Sequence, residues 1–379
     1  MKAPPLLPIA PSWYPGHMRR FFTQLPELLA RTHIVLEARD SRLPLTSINP
    51  EFEAALEKWR LSRSNELCER IVVYTKRDLV PRWGEEPLRK ALSKHFNHRV
   101  HFTAEGKPHT IRRLHSDIVS LVKARTDQSS AYNVLVIGMP NVGKSTLLNS
   151  LRWTNTAGAA KALRTSPLPG LTRTTSTPLK LHTDPLIYSV DTPGVMVPFL
   201  GRGEAGKERA MKLALAAGIK ESLFDTETMC SYLLHKLYLL NPRAPAYMSV
   251  LPPSSQPTTT DEFLECLATR LGALQKGGWP DLERAERWFV HWWRSGGAVD
   301  HPSPFGWGFD FDFTAQLSDE AQPPSEEEVE KLMGRVVDDY VETLRSEESE
   351  HRVSLRQEKK AAREAKIKAR MQRRANATK

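Results

Sequence analysis

The sequence predicts an α/β protein, with a mostly parallel sheet carrying helices on both faces, followed by a smaller all-α domain. Three observations predict it. Apolar runs of strand length alternate with segments of helical apolar spacing through the first half of the chain. Each such run ends in a polar loop, where open parallel sheets bind their ligands. After about residue 205 the strand-like runs stop and helical segments follow.

The elements follow in order. Met18, Phe21, Phe22, Leu25, Leu28 and Leu29 fall at helical spacing between Gly16 and Arg31, with Pro26 placed to kink that helix. "HIVLEARDS" is a strand running into a polar loop. Residues 50–60 are helical in pattern, "RIVVY" is the second strand and "RVHFTAEGK" the third. "TIRRLHSDIVSLVKAR" is an amphipathic helix. "YNVLVIG" is a strand, "KSTLLNSLR" a helix, and "PLIYSVDTPG" a strand and loop. "RAMKLALAAGIKESL", "ETMCSYLLHKLYLL", "DEFLECLATRLGAL" and "DLERAERWFVHWWRS" are helices around the Pro-rich connector "NPRAPAYMSVLPPSSQPTTT". The expected divisions are a leader over 1–12, an α/β domain over 13–205, a helical domain over 206–318, and an acidic linker, helix and basic tail over 319–379.

A chain of 379 residues suits two domains with tails, and 40% hydrophobic content supports a sizeable core. The three cysteines are far apart and make neither a zinc spacing nor a disulfide framework, which fits a reducing compartment. No apolar run is long enough for a membrane-spanning helix. The net charge is +10. Residues 351–379 hold eleven Lys/Arg against two Glu, and residues 319–350 hold twelve Asp/Glu against three Lys/Arg. These ends cancel, so the body itself is basic and suits a polyanionic partner such as nucleic acid. The start, with no acidic residue before Glu27, is compatible with organelle targeting, although it is short, Pro-rich and poor in Ser.

"GMPNVGKS" matches the phosphate-loop pattern through Gly138, Gly143, Lys144 and Ser145, with a strand before it and a helix after it. The loop of Asn141, Val142 and Gly143 offers backbone N–H groups to phosphates, and the helix N-terminus opening at Lys144, Ser145 and Thr146 adds partial positive charge. Lys144 should reach the β- and γ-phosphates and Ser145 should bind Mg²⁺. "YSVDTPG" supplies Asp191 for the same cation and Gly194 for a backbone N–H near the γ-phosphate. A threonine of "PLPGLTRTT" can complete the Mg²⁺ shell. Thr172 is the choice, with Thr174 and Thr175 close competitors.

The base is read elsewhere. Guanine presents two adjacent donors that an ionised carboxylate accepts together, and adenine presents no such pair. "IVVYTKRD" has the form Asn-Lys-x-Asp with Thr75 in place of Asn. Lys76 would lie along the base, Asp78 would read it and Thr75 would brace the loop. "HFTAEGK" offers Thr103 and Ala104 as backbone neighbours of the base O6.

The base reader precedes the phosphate loop, a rotation of the usual GTPase order with no part missing. Joining the close-lying termini of a compact domain and cutting it elsewhere preserves the site. With "WYPGHM", "EARDSRLPLTSINP", "YTKRD", "GMPNVGKST", "PGLTRT", "DTPGVMVP" and "KLAL" in order over about residues 12–240, the chain resembles the YlqF-type circularly permuted GTPases, mitochondrial GTPase 1 branch.

The resemblance implies GTP hydrolysis coupled to assembly of the large subunit of the mitochondrial ribosome, with ribosomal RNA as partner. It implies a site of action at the matrix side of the inner membrane, peripherally associated, as a monomer. Val195 stands where Ras-like enzymes place a water-orienting Gln, so slow intrinsic hydrolysis, raised by the ribosome, is expected. Asn141 matches a loop asparagine that similar enzymes use to bind K⁺. Trp288, Trp292 and Trp293 are expected in the core rather than stacked on RNA. The competing function is a nucleotide-dependent switch that recruits proteins without RNA contact.

Overall fold

The computed structural model describes residues 3–10, 15–63, 67–124, 131–153, 163, 178–196, 200–201, 203–314 and 322–346. The chain forms two compact units, Met1–Gly334 and Arg335–Lys379. In the second, the described residues 335–346 are helical.

The frame of the first unit is a six-stranded sheet made by β1 (Ile34–Asp40), β2 (Glu69–Thr75), β3 (Arg99–Phe102), β4 (Tyr132–Gly138), β5 (Leu179–Thr183) and β6 (Leu186–Asp191). The order across the sheet is β3-β2-β1-β4-β6-β5. All neighbours are parallel except β5, which runs antiparallel to β6. The sequence reading missed β5, because "LKLHT" alternates over only a few residues between Thr-rich and Asp-Pro segments.

The sheet has two buried faces, as the continuous apolar runs required. Ile34 and Leu36 point to one, against α4 (Pro108–Lys123) and α5 (Lys144–Trp153), through Ile111, Leu114, Ile118, Leu147 and Leu148. Val35, Leu135 and Ile137 point to the other. There they meet α1 (Gly16–Ala30) and α2 (Pro50–Ser62), through Met18, Phe21, Leu25, Phe52 and Leu56. Pro26 lies inside α1, which continues to Ala30. A short helix α3 (Glu85–Ser93), which the sequence reading missed, buries Leu88, Ala91 and Leu92.

The helices α6 (Gly203–Leu215), α7 (Thr226–Leu240), α8 (Thr260–Leu271) and α9 (Leu282–Arg294) join that second core through Met211, Leu233, Phe263 and Phe289. Local chemistry sets their ends. A Thr259–Glu262 capping box starts α8, and Gly272, in the left-handed region at φ 63°, closes it. After α9 comes a two-strand hairpin, β7 (Gly306–Trp307) and β8 (Phe311–Asp312), too short to read from sequence. Trp293 is buried and stacks on Phe309, and Trp292 stacks on Phe289. Trp288 remains 37% exposed.

Candidate guanine-nucleotide site

The C-terminal ends of β1, β2, β4 and β6 bring the separated motifs together. The phosphate loop leaves β4 at Gly138 and enters α5 at Lys144. A Cβ on Gly138 would lie 2.3 Å from the Ala38 carbonyl oxygen, so β1 passes too close for any side chain. Asn141 and Gly143 hold φ of 55° and 93°, the left-handed turns that let successive N–H groups face one point.

Lys144 is buried, and its ammonium donates to the carbonyls of Gly138 at 3.2 Å and Met139 at 2.8 Å. Burial pushes its pKa down to about 8, against the pull of Asp191 and with help from the nearby Lys76 cation. The Ser145 hydroxyl donates to Asp191 Oδ2 at 2.6 Å. Burial raises the Asp191 pKa, partly offset by Lys144 and Ser145. Two hard oxygen donors thus converge beside a buried cation, a set that suits Mg²⁺. Among the described residues no group of three or more His, Cys, Asp or Glu forms a cage. A Mg²⁺ ion here would draw further ligands from phosphate, from water and from the threonine loop, which lies outside the described residues.

The Asp191-Thr192-Pro193-Gly194 turn is seated on the phosphate loop. Val195 N donates to Gly138 O at 3.1 Å, and the Thr192 hydroxyl to Val136 O at 2.6 Å. A Cβ on Gly194 would lie 2.5 Å from Pro140 Cα and 3.1 Å from Lys144 Nζ, so only glycine fits. Val195 itself is fully buried. Thr172, Thr174 and Thr175 lie outside the described residues.

The Thr75–Asp78 loop at the end of β2 is tied to the phosphate loop. The Thr75 hydroxyl faces two carbonyls, Arg39 O at 3.0 Å and Val142 O at closer range. It has one proton to give them, where an Asn amide has two. Lys76 sits in the left-handed region at φ 54°, a conformation that costs a non-glycine residue about 1 kcal/mol or more. Its ammonium donates to Asn141 O at 2.6 Å and Asp40 Oδ2 at 2.9 Å. Burial lowers its pKa to about 8, opposed by Asp40. Asp78 follows in a single 3₁₀ turn and is exposed.

The third loop holds a different kind of contact. Thr103 N donates to Tyr74 O at 2.8 Å, Arg77 N to Thr103 O at 3.1 Å, and Ala104 N to the Thr110 hydroxyl at 3.2 Å. The loop is thereby fixed beside the base reader, with both of its amides engaged inside the fold. The Asn141 amide donates to Ala216 O at 3.2 Å in the turn after α6, joining the phosphate loop to the helical layer.

Sequence reasoning missed two groups of buried charge. Glu37 and Arg39 lie within β1, whose seven residues are all buried, and pair with Arg70 and Glu53. Burial opposes ionisation of Glu37, but Arg39 and Arg70 outweigh it and hold its pKa at about 2. Asp310 accepts from Leu45 N and Thr46 N at 2.8 Å and from the Thr46 hydroxyl at 2.6 Å. The available signal for the first group was charge inside a central strand, which demands partners. Asp310 carried no local signal, because its partners are distant in sequence.

A family model described as a 50S ribosome-binding GTPase matches residues 133–235, beginning at β4 and so after the base-reading strand. Mitochondrial GTPase 1 of Schizosaccharomyces pombe is 31% identical over 291 residues, 71% of this chain and 82% of that protein.

The chain belongs to the mitochondrial GTPase 1 family.

This GTPase is also 31% identical over 229 residues to mitochondrial ribosome-associated GTPase 1 of Mus musculus, covering 59% of this chain and 66% of that one. Among solved structures, GNP-bound YlqF from T. maritima aligns at a TM-score of 0.47 with 22% identity, over 73% of this chain and 94% of that one. The mostly parallel sheet that the sequence predicted is present in this GTPase.

Proposed function

We propose that this GTPase is an assembly factor for the large subunit of the mitochondrial ribosome, binding GTP–Mg²⁺ and ribosomal RNA. The observation that carries the reading is the joint between rotated motifs: Thr75 and Lys76 bond to the Val142 and Asn141 carbonyls of a loop that comes later in the chain. Base reading and phosphate binding therefore form one site. The relatives' names, mitochondrial GTPase 1 and mitochondrial ribosome-associated GTPase 1, support a mitochondrial address and a ribosomal partner. The basic body supports contact with RNA. Matrix-side, peripheral association with the inner membrane is part of the same reading, and so is a monomer.

In this reading Asp78 accepts from guanine, Lys76 lies along the base, Thr75 braces the loop, and Thr103 and Ala104 border the base. Backbone N–H groups of Val142, Gly143 and Thr146, with Lys144, hold the phosphates. Ser145, Asp191 and Thr172 would hold Mg²⁺, which when bound would supply positive charge beside the phosphates. The Gly194 N–H faces the γ-phosphate. Val195 is buried and apolar, so orientation of water falls to backbone groups and to a cation such as K⁺ held by Asn141. Intrinsic hydrolysis is then slow and rises on the ribosome and with K⁺.

The test is cosedimentation with large mitochondrial ribosomal subunits at graded salt, with GTP analogue or GDP. Binding that needs the analogue, weakens with salt and disappears after RNase treatment supports the reading. Binding indifferent to salt and RNase would leave a switch that recruits proteins.

A further inference from the structure

Each residue of the segment Asp40-Ser41-Arg42 grips the Thr75–Lys76 turn or its support. Asp40 lies at the end of β1, opposite Thr75 in register. Its carboxylate accepts from Lys76 Nζ at 2.9 Å. Ser41 grips the turn by its backbone. Both its N–H, at 3.1 Å, and its hydroxyl, at 2.6 Å, donate to Thr75 O. Arg42 holds Asp40 from the far side, with Nε 3.0 Å from Oδ1 and Nη2 2.7 Å from Oδ2. All three are buried.

Such a grip has a physical purpose. Lys76 stands in the left-handed region, which a lysine leaves unless its surroundings hold it there. Thr75 offers one proton to two carbonyls, so this loop is braced more weakly from its own side than an asparagine would brace it. One buried carboxylate between two cations fixes the ammonium of Lys76 without mobile surface partners.

The grip continues into the helical layer. The Arg42 guanidinium lies over the Trp293 ring of α9 at 4.9 Å, and Trp293 stacks on Phe309 at 4.6 Å. Phe309 N donates to Arg42 O at 2.8 Å. A Cβ on Gly308 would lie 2.6 Å from that same oxygen, so the hairpin is pressed against Arg42.

We infer that Asp40, Ser41 and Arg42 are positioning residues for guanine-nucleotide binding: they clamp the Thr75–Lys76 turn, and through Arg42 the packing of α9 sets nucleotide affinity. The inference rests on the assignment of Lys76 to the base-reading loop. A partner that shifts Trp293 or the 305–313 hairpin changes nucleotide affinity without touching the nucleotide.

A double-mutant cycle on the full chain tests it, with fluorescent GDP and GTP affinities and thermal midpoints measured for Asp40→Asn, Lys76→Met and the pair. Asp40→Asn is expected to weaken both nucleotides about tenfold, the scale of one charge-assisted hydrogen bond. In the Lys76→Met background it should add nothing. Trp293→Phe, which keeps an aromatic core residue but shrinks the surface under Arg42, should weaken binding about threefold, again only when Lys76 is present. Additive losses, or full affinity in a folded Asp40→Asn protein, would overturn the clamp. If Lys76→Met alone leaves affinity unchanged, the base-reading assignment fails instead. Should Asp40→Asn not fold, the Trp293→Phe arm decides by the same comparison.

Discussion

Two lysines, the buried Lys144 and the half-buried Lys76, bear on nucleotide binding at the scale of single residues. Lys144 and Lys76 both have pKa values lowered to about 8, chiefly by burial. Phosphate charge favours the ammonium form, so nucleotide binding above that pH requires proton uptake. Affinity for GTP is therefore constant below about pH 8 and falls as pH rises through it, by up to about tenfold per pH unit as Lys144 loses its proton. Affinity measured from pH 6.5 to 9.5 checks this, and Lys144→Ala should abolish tight triphosphate binding altogether. Asp78 carries a separate prediction. Asp78→Asn should move preference from GTP to xanthosine triphosphate, because the amide supplies the donor that the xanthine base accepts. A wild-type protein that binds ATP as well as GTP would contradict the assignment. For Thr75, replacing the hydroxyl by a methyl in Thr75→Val leaves the Val142 and Arg39 carbonyls without it. About tenfold weaker GTP binding is expected, with Thr75→Asn at least as tight as wild type.

Between elements, the joints are made by single polar groups reaching across layers. Asp310 binds two loop amides, one hydroxyl and, at 3.2 Å, Lys212. Its carboxylate is 3% exposed, so these bonds are shielded from water. Asp310→Ala should destabilise the protein by about 3 kcal/mol, read as a lower urea midpoint with unchanged slope. Sequence periodicity found the long elements because each buries a face with regular spacing. It missed β5, α3 and the β7–β8 hairpin, which are short and draw stability from neighbours rather than from their own pattern. The tryptophans of α9 illustrate the reach of spacing. Trp292 and Trp293 follow the core expectation, and Trp288 falls on the outer side of the same helix.

For the molecule as a whole, charge is the property that composition sets. The acidic stretch 319–350 and the basic tail 351–379 offset each other, leaving the +10 on the body. A chain ending at residue 318, which loses both stretches and keeps the +10, should therefore still bind large subunits through the body, with a salt slope close to that of the full chain. Loss of binding on that truncation would move the RNA contact into the tail. Motif chemistry determined the nucleotide class and the rotated order, because phosphate, Mg²⁺ and guanine each demand particular donors at fixed local spacing. Apolar runs of strand length determined the mostly parallel sheet, because strands buried on both faces are apolar except where charges are paired, as in β1. Only the tertiary structure decided how the pieces are joined. Asp40 reaches Lys76, Arg42 reaches Trp293 and Phe309, Asp310 reaches Leu45 and Thr46, and Asn141 reaches Ala216, so local spacing could not pair them. A site assembled from strand ends takes its residues from local motifs, and its rigidity from partners that meet them only after folding.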